Sequence, residues 1–327
     1  GTVRFNKDLN TLEFYNGVDW RQFTVSGASG RGVWGNGHPS GSGYQYTNLN
    51  TFGNTESFGE KTGSDRFASV GACSDGKRGL FAGGLPASHD VIEYITIGSR
   101  GNAIDFGNLT SPGSDSGAAC SSSTRGVFSG GIKRTPSTAA WNVIEYVEIQ
   151  TLGNALDFGD IEPNSNRGDG FSSPIKGFFA GGGYPTLTTQ ISVITIASTG
   201  NSVRFGDTTF SSSYQGQCSN TVRGVMAGGA ISSPINTNAI DFITMSSEGN
   251  AIHFGDLTIA RHSPAAACTN IRGVFAGGAS PSDTAYVNTM DYITFATTGN
   301  ALDFGDMSDS VSFHAGTSDS HGGLGGY

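Results

Sequence analysis

The sequence predicts an all-β protein: one β-propeller of seven four-stranded blades, with a six-bladed ring as the rival count. Three observations carry this. A short phrase (basic residue, glycine, two apolar residues, then a glycine-rich end) starts at Arg31, Arg78, Arg125, Lys176, Arg223, Arg272 and His321, roughly 47 to 51 residues apart. A second phrase, Gly-Asn-x-x-x-Phe-Gly, interleaves with it at Gly53, Gly101, Gly153, Gly200, Gly249 and Gly299. Between the two, apolar residues alternate over short runs. A period of this length means stacked supersecondary units, none of which can bury its own faces alone.

One unit reads as four strands. Residues 265–268 form a small-residue strand and residues 273–278 a glycine strand. Residues 291–295 and 301–304 form a hairpin around Thr298-Gly299-Asn300, where Gly and Asn suit a positive φ. Seven residues before each Gly-Asn stand Tyr46, Tyr94, Tyr146, Val193, Phe242 and Tyr292, and two further back Tyr44, Ile92, Ile144, Ile191, Ile240 and Met290. That is the period-two pattern of a strand. Glycine in the second strand implies backbones crowding near an axis.

Six full units lie between Arg31 and Ser320, and the seventh glycine strand, from His321, lacks its hairpin. Residues 12–23, with the turn Asn16-Gly17, have the character of the missing piece. The expected organisation is therefore an N-terminal β-meander over 1–30, completing the last blade, and the repeat propeller over 31–327. Such a closure leaves no exposed edge.

Composition narrows the function. With 51 glycines and only 14% charged residues, short strands and tight turns are favoured over helices. A net charge of −9, without clustered Lys or Arg, excludes a nucleic-acid partner. No run approaches the ~18 apolar residues of a membrane helix, so no membrane insertion is expected. Cys73, Cys120 and Cys218 lie five residues before the basic residue, and Cys268 lies four before it. They read as one repeated position of free, buried thiols, with no Cys-x-x-Cys spacing for zinc.

The runs 80–84 and 274–278, each ending in Gly-Gly and followed by a variable loop and an aromatic-bearing strand, resemble the kelch repeat over about 31–327. The chain departs from that family where its usual fourth-strand Trp is replaced by Phe58, Phe106, Phe158, Phe205, Phe254 and Phe304. Residues 1–6 and 12–20 are similar to a short motif of bacteriophage tail-fibre proteins. The Gly-Asn-x-x-x-Phe-Gly arrays are similar to those in virion proteins of marine, especially cyanobacterial, phages. The resemblance implies a location in the virion, other virion proteins and a host-surface glycan or protein as partners, and a homo-oligomer, a trimer in many fibres.

The loops after each glycine pair vary while the rest of the unit stays fixed, and variable loops on a rigid ring are where binding usually lives. The candidate ligand-binding residues are Trp141, Tyr184, Tyr286, His38, His89 and Arg134. Their bland role is packing on a neighbouring blade or on another subunit. Glu60, Asp160, Asp207, Asp256 and Asp306 are one repeated position and read as turn residues, not a paired-carboxylate site. The repeated Arg reads as a turn-flanking charge paired with an acidic neighbour. No histidine pair has metal-ligand spacing, and no nucleophile elbow or phosphate loop is present. The expectation is a non-enzymatic virion surface or tail-fibre protein binding a host receptor, without cofactor or metal. The alternatives are a decoration or connector subunit of the particle, or a glycan-active enzyme on a propeller scaffold.

Overall fold

The computed structural model describes residues 2–6, 11–15, 17, 20–22, 29–35, 37–39, 43–62, 71–84, 89–110, 117–133, 139–162, 169–183, 186–232, 235–280 and 285–325. Six four-stranded antiparallel sheets form the propeller, each ordered from an inner strand at the axis to an outer strand at the rim. Blade 1 is Ala315–Ser318, Arg31–Gly35, Tyr44–Asn48 and Glu56–Gly59. Blade 2 is Gly71–Ser74, Arg78–Ala82, Val91–Thr96 and Ile104–Asn108. Blade 3 is Ala118–Ser121, Arg125–Ser129, Val143–Glu148 and Leu156–Asp160. Blade 4 is Asp169–Ser172, Lys176–Ala180, Gln190–Thr195 and Val203–Asp207. Blade 5 is Gly216–Ser219, Arg223–Ala227, Ala239–Thr244 and Ile252–Asp256, and blade 6 is Ala265–Cys268, Arg272–Ala276, Thr289–Thr294 and Leu302–Asp306.

The propeller expectation holds, but the blade count is six, not seven. The ring closes through the inner strand Ala315–Ser318, which pairs with Arg31–Gly35. The N-terminal hairpin plays no part in it: Val3–Asn6, Thr11–Tyr15 and Trp20–Gln22 form a separate three-stranded sheet. The seventh phrase is not a strand either. Gly322–Leu324 makes a buried turn of 3₁₀ helix at the end of the chain. A Cβ on Gly322 would overlap the carbonyls of Asn220 and Ser172, and one on Gly323 the carbonyl of Ser121. The glycines let this backbone cross over the inner strands and plug one end of the axis, which is why a strand-like phrase is spent on a turn.

Each repeated residue joins one blade to the next. Gly53, Gly101, Gly153, Gly200, Gly249 and Gly299 donate their amides to the carbonyls of Phe304, Phe58, Phe106, Phe158, Phe205 and Phe254 of the preceding blade. The following Asn carboxamides accept the amides of Glu60, Asn108, Asp160, Asp207, Asp256 and Asp306, at 3.0–3.1 Å. The Gly-Asn pair is thus a joint rather than the hairpin turn predicted, which lies just before it (Thr297 N–H to Thr294 C=O). The Gly of Phe-Gly is needed because the next blade's Gly carbonyl presses on it, as Gly101 does on Gly59.

The basic residue behaves differently from its predicted acidic pairing. Arg31, Arg78, Arg125, Arg223 and Arg272 each donate to a carbonyl of the following blade (Ile97, Ile149, Ile196, Phe295 and Leu49) at 2.5–3.0 Å. Each also stacks over its own blade's third-strand ring, from 4.2 Å at Tyr146 to 5.0 Å at Tyr94. Blade 4 has Lys176 in place of Arg and Val193 in place of the ring, so guanidinium and ring are lost together. Arg125 adds an acidic partner, Glu148, at 2.8 Å.

The apolar core lies between blades: each cluster draws on two neighbours, as Val225, Ile240 and Phe254 do with Phe275, Ile293 and Phe295. Cys73, Cys120 and Cys218 pack on Gly126, Gly177 and Gly273, in each case the glycine that follows the basic residue of the next blade. Cys268 is displaced from them by one position. It pairs with Gly273 as Ser74 pairs with Gly79, so it belongs to the last position of the inner strand. There Ser74, Ser121, Ser172, Ser219, Cys268 and Ser318 form a closed ring, each side chain donating to the carbonyl of the one before at 2.6–3.1 Å.

Candidate functional site

Strand direction sorts the connections onto two faces. The loops between second and third strands, and those leading from an outer strand to the next inner strand, share one face, the loop face. The tight turns, the entry at Gly30 and the C-terminal plug share the other.

On the loop face the structure brings two of the predicted residues together. The His38 and Tyr286 rings meet edge to face at 5.3 Å, from the loops of blades 1 and 6. His38 is fixed by exchanging both backbone hydrogen bonds with Ser312, at 2.8 and 3.0 Å. Tyr286 is fixed by a bridge to Ala279, which bridges in turn to His262. Both rings are half-buried. Trp141 in blade 3 and His89 in blade 2 are also half-buried on this face but stand in other blades, Trp141 held by its amide to Gly131 C=O at 3.0 Å. Tyr184 and Arg134 lie outside the described residues.

The sequence pattern gave no sign of what lies beside the His38–Tyr286 pair. Tyr214, Ser263 and Phe313 hold one equivalent position in three successive loops, two residues before the inner strand, and all have left-handed φ (58°, 54° and 52°). For a bulky residue that conformation costs on the order of 1–3 kcal/mol. It turns the Tyr214 and Phe313 rings toward each other at 5.3 Å, with the His262 ring 5.9 and 5.5 Å from them. Ser312 joins this trio to the His38–Tyr286 pair, because Phe313 follows it in the chain.

Beneath the patch is a charged pair buried to 0% exposure: Arg261 Nη2 lies 3.0 Å from Asp291 Oδ2 and donates to Phe275 C=O at 3.1 Å. The carboxylate is a repeat feature. Glu93, Glu145, Asp241 and Asp291 each clasp the amide and hydroxyl of the Thr that follows the preceding blade's outer strand (Thr62, Thr110, Thr209 and Thr258). Burial raises the Glu145 carboxyl, and the bonds from Thr110 oppose that rise. Arg261 is the departure: the equivalent residues are Ser212 and Val311. Aligning the repeats at the start of the inner strand exposes this Arg-His against Ser-Ser and Val-Ser. Burial lowers the Arg261 pKa while Asp291 raises it. His314 is buried nearby, and desolvation with the Arg261 charge lowers its pKa to about 3, so it is neutral.

Nearer the axis is a cavity of about 50 Å³, lined by the cysteines, the serines of the ring other than Ser74, Gln217 and His321. The thiols are inert by burial, which raises Cys73, Cys120 and Cys218. Asp169 opens the inner strand of blade 4, where the other blades have Gly or Ala. Burial lifts it to about 7, although it accepts from the Gly170 and Gln217 amides at 2.8 and 3.3 Å. Among the described residues no three His, Cys, Asp or Glu side chains are grouped to hold a metal, and no helix is long and apolar enough to cross a membrane.

No family model and no curated protein matches the sequence. The fold is shared with the solved structure of YjhT, at TM-score 0.66 and 10% identity, covering 77% of this chain and 87% of that one. The expectation of a non-enzymatic chain is withdrawn. The ground for that expectation was that no residue set broke the repeat, and Arg261 with His314 does break it. At this identity the likeness itself extends to the propeller fold alone.

Proposed function

We propose that the chain is a virion surface protein of the tail-fibre kind, built on kelch-like repeats, that attaches to a host cell through the loop face. The N-terminal motif and the repeat resemblance support the setting. The observation that carries the binding surface is the meeting of His38 and Tyr286, from variable loops of two blades, as half-buried rings on one face. Rings held on a rigid ring of sheets provide contact area at little cost in conformational entropy. The test is binding of labelled protein to a panel of bacteria, cyanobacteria included, beside the Tyr286→Ala and Trp141→Ala variants. Strain-selective binding weakened by either variant supports attachment. Absence of binding to every strain moves the reading to a connector or decoration subunit.

A second reading, a glycan-active enzyme on the same face, is favoured by Arg261, Asp291 and His314, a buried group that Arg261 and His314 set apart from the repeat pattern. Release of reducing ends from host polysaccharide, lost in Arg261→Ser, would establish it.

A further inference from the structure

We infer that Tyr214, Phe313, Tyr286 and His38 form a subsite for an uncharged sugar residue, received on their ring faces and hydrogen-bonded at its hydroxyls. This rests on the reading of the loop face as the binding surface and names what that surface takes.

The four rings are half-buried, so each keeps surface for a ligand while its edge is fixed by neighbours. Two of them are held on left-handed backbone that Ser263 adopts at the equivalent position without a ring, so the scaffold does not require the rings there. A sugar ring offers C–H faces to aromatics and hydroxyls that both donate and accept, and ligand sites combine apolar walls with a few placed polar groups.

The charge balance selects an uncharged sugar. Arg261 beneath the patch is matched by Asp291, and His314 is held neutral, so the patch carries no surplus positive charge among the described residues. A carboxylate or sulfate group on the ligand would find no surplus positive charge among the described residues and would lose its hydration uncompensated.

Finally, the ground under the patch is polar and not saturated by the protein. Arg261 Nε and Nη1, Ser263 Oγ and Ser312 Oγ are buried without a protein partner. Buried polar groups in folded proteins are almost always satisfied. The guanidinium can only donate and the two hydroxyls can also accept, a mixture that sugar hydroxyls match.

The experiment is an array of immobilised neutral, sulfated and uronate oligosaccharides probed with the full chain and with Phe313→Ser and Tyr214→Ser. Both variants copy Ser263, so folding is expected to survive and is checked by the melting curve. Binding to neutral members, weakened about tenfold by either variant, the equivalent of one good ring contact, is the expected result. Preference for sulfated or uronate members, or neutral binding indifferent to both variants, would overturn the inference. Cell binding that falls with Trp141→Ala but not with Phe313→Ser would overturn it and leave the loop-face reading standing. Binding to neither cells nor glycans would remove both.

Discussion

Asp319 clasps Gly30: one carboxylate oxygen accepts the Gly30 amide at 3.0 Å, and the same carboxylate takes the Arg31 amide at 3.0 Å and the Ser29 amide and hydroxyl at 2.7 and 2.8 Å. The ring is therefore tied by the C-terminal strand and this carboxylate. Deleting residues 1–23 is expected to leave the melting temperature of the propeller nearly unchanged, whereas closure by an N-terminal hairpin would require a sharp fall. Asp319→Ala is expected to cost about 3 kcal/mol, since bonds to a charged acceptor are worth about 1.5–3 kcal/mol each and these share one group. Denaturant unfolding of the two proteins separates the alternatives.

Asp241 and Asp291 occupy the same place in successive blades, both fully buried, and of the two it is Asp291 that faces an arginine. Asp291→Asn leaves Arg261 as a buried charge without a counter-ion and is expected to cost about 3–5 kcal/mol. Asp241→Asn keeps a carbonyl acceptor for Thr209 and is expected to cost about 1–2 kcal/mol. Equal losses in urea unfolding would show that the Arg261 charge is not supported by Asp291.

Asp169 makes stability depend on pH in an unusual direction. In the unfolded chain this carboxyl ionises near its ordinary value of 3.8, but the folded protein keeps the proton to about pH 7. Between those values the folded state binds more protons, so stability falls as pH rises through the window and levels above it. Asp169→Asn is expected to match the parent near pH 4 and to exceed it above pH 7. Parallel melting temperatures across that range would reject the assignment.

The four thiols are predicted to resist a thiol reagent in the native protein and to react on unfolding, because all four are buried away from the reagent. Cys268→Ser is expected to change stability by less than about 0.5 kcal/mol, as it restores the side chain used at the other five positions of the ring. A large loss would mean that the sulfur fills space a hydroxyl does not.

The propeller was legible because its joints are built from repeated residues: Gly-Asn, Phe-Gly and the Arg-Gly pair recur since every blade must grip the next in the same way. The count was not, because His321-Gly322-Gly323 imitates the start of a glycine strand. Its glycines serve close approach to the carbonyls of Ser121, Ser172 and Asn220, a need set by the assembled ring and invisible locally. The displaced Cys268 misled for a related reason, since a one-residue offset turns a side chain from one face of a strand to the other. At the site, His38 and Tyr286 could be named from their loops, but their meeting depends on blades 6 and 1 being adjacent. Arg261 and Phe313 were overlooked because they lie in the other set of loops on that face.

The ring of five serines and Cys268 has no first or last member. Each side chain grips the carbonyl behind it, and the bond from Ser318 to Cys268 and that from Ser74 to Ser318 complete the circuit across the chain termini. A single Ser→Ala change converts this circuit into an open string with a loose carbonyl at the break. A second change elsewhere only shortens a string that is already open. Losses around the ring should therefore be sub-additive, the first breach costing more than the second. The blades then share one fate at their centre, which makes the inner strands a single cooperative element rather than six separate ones.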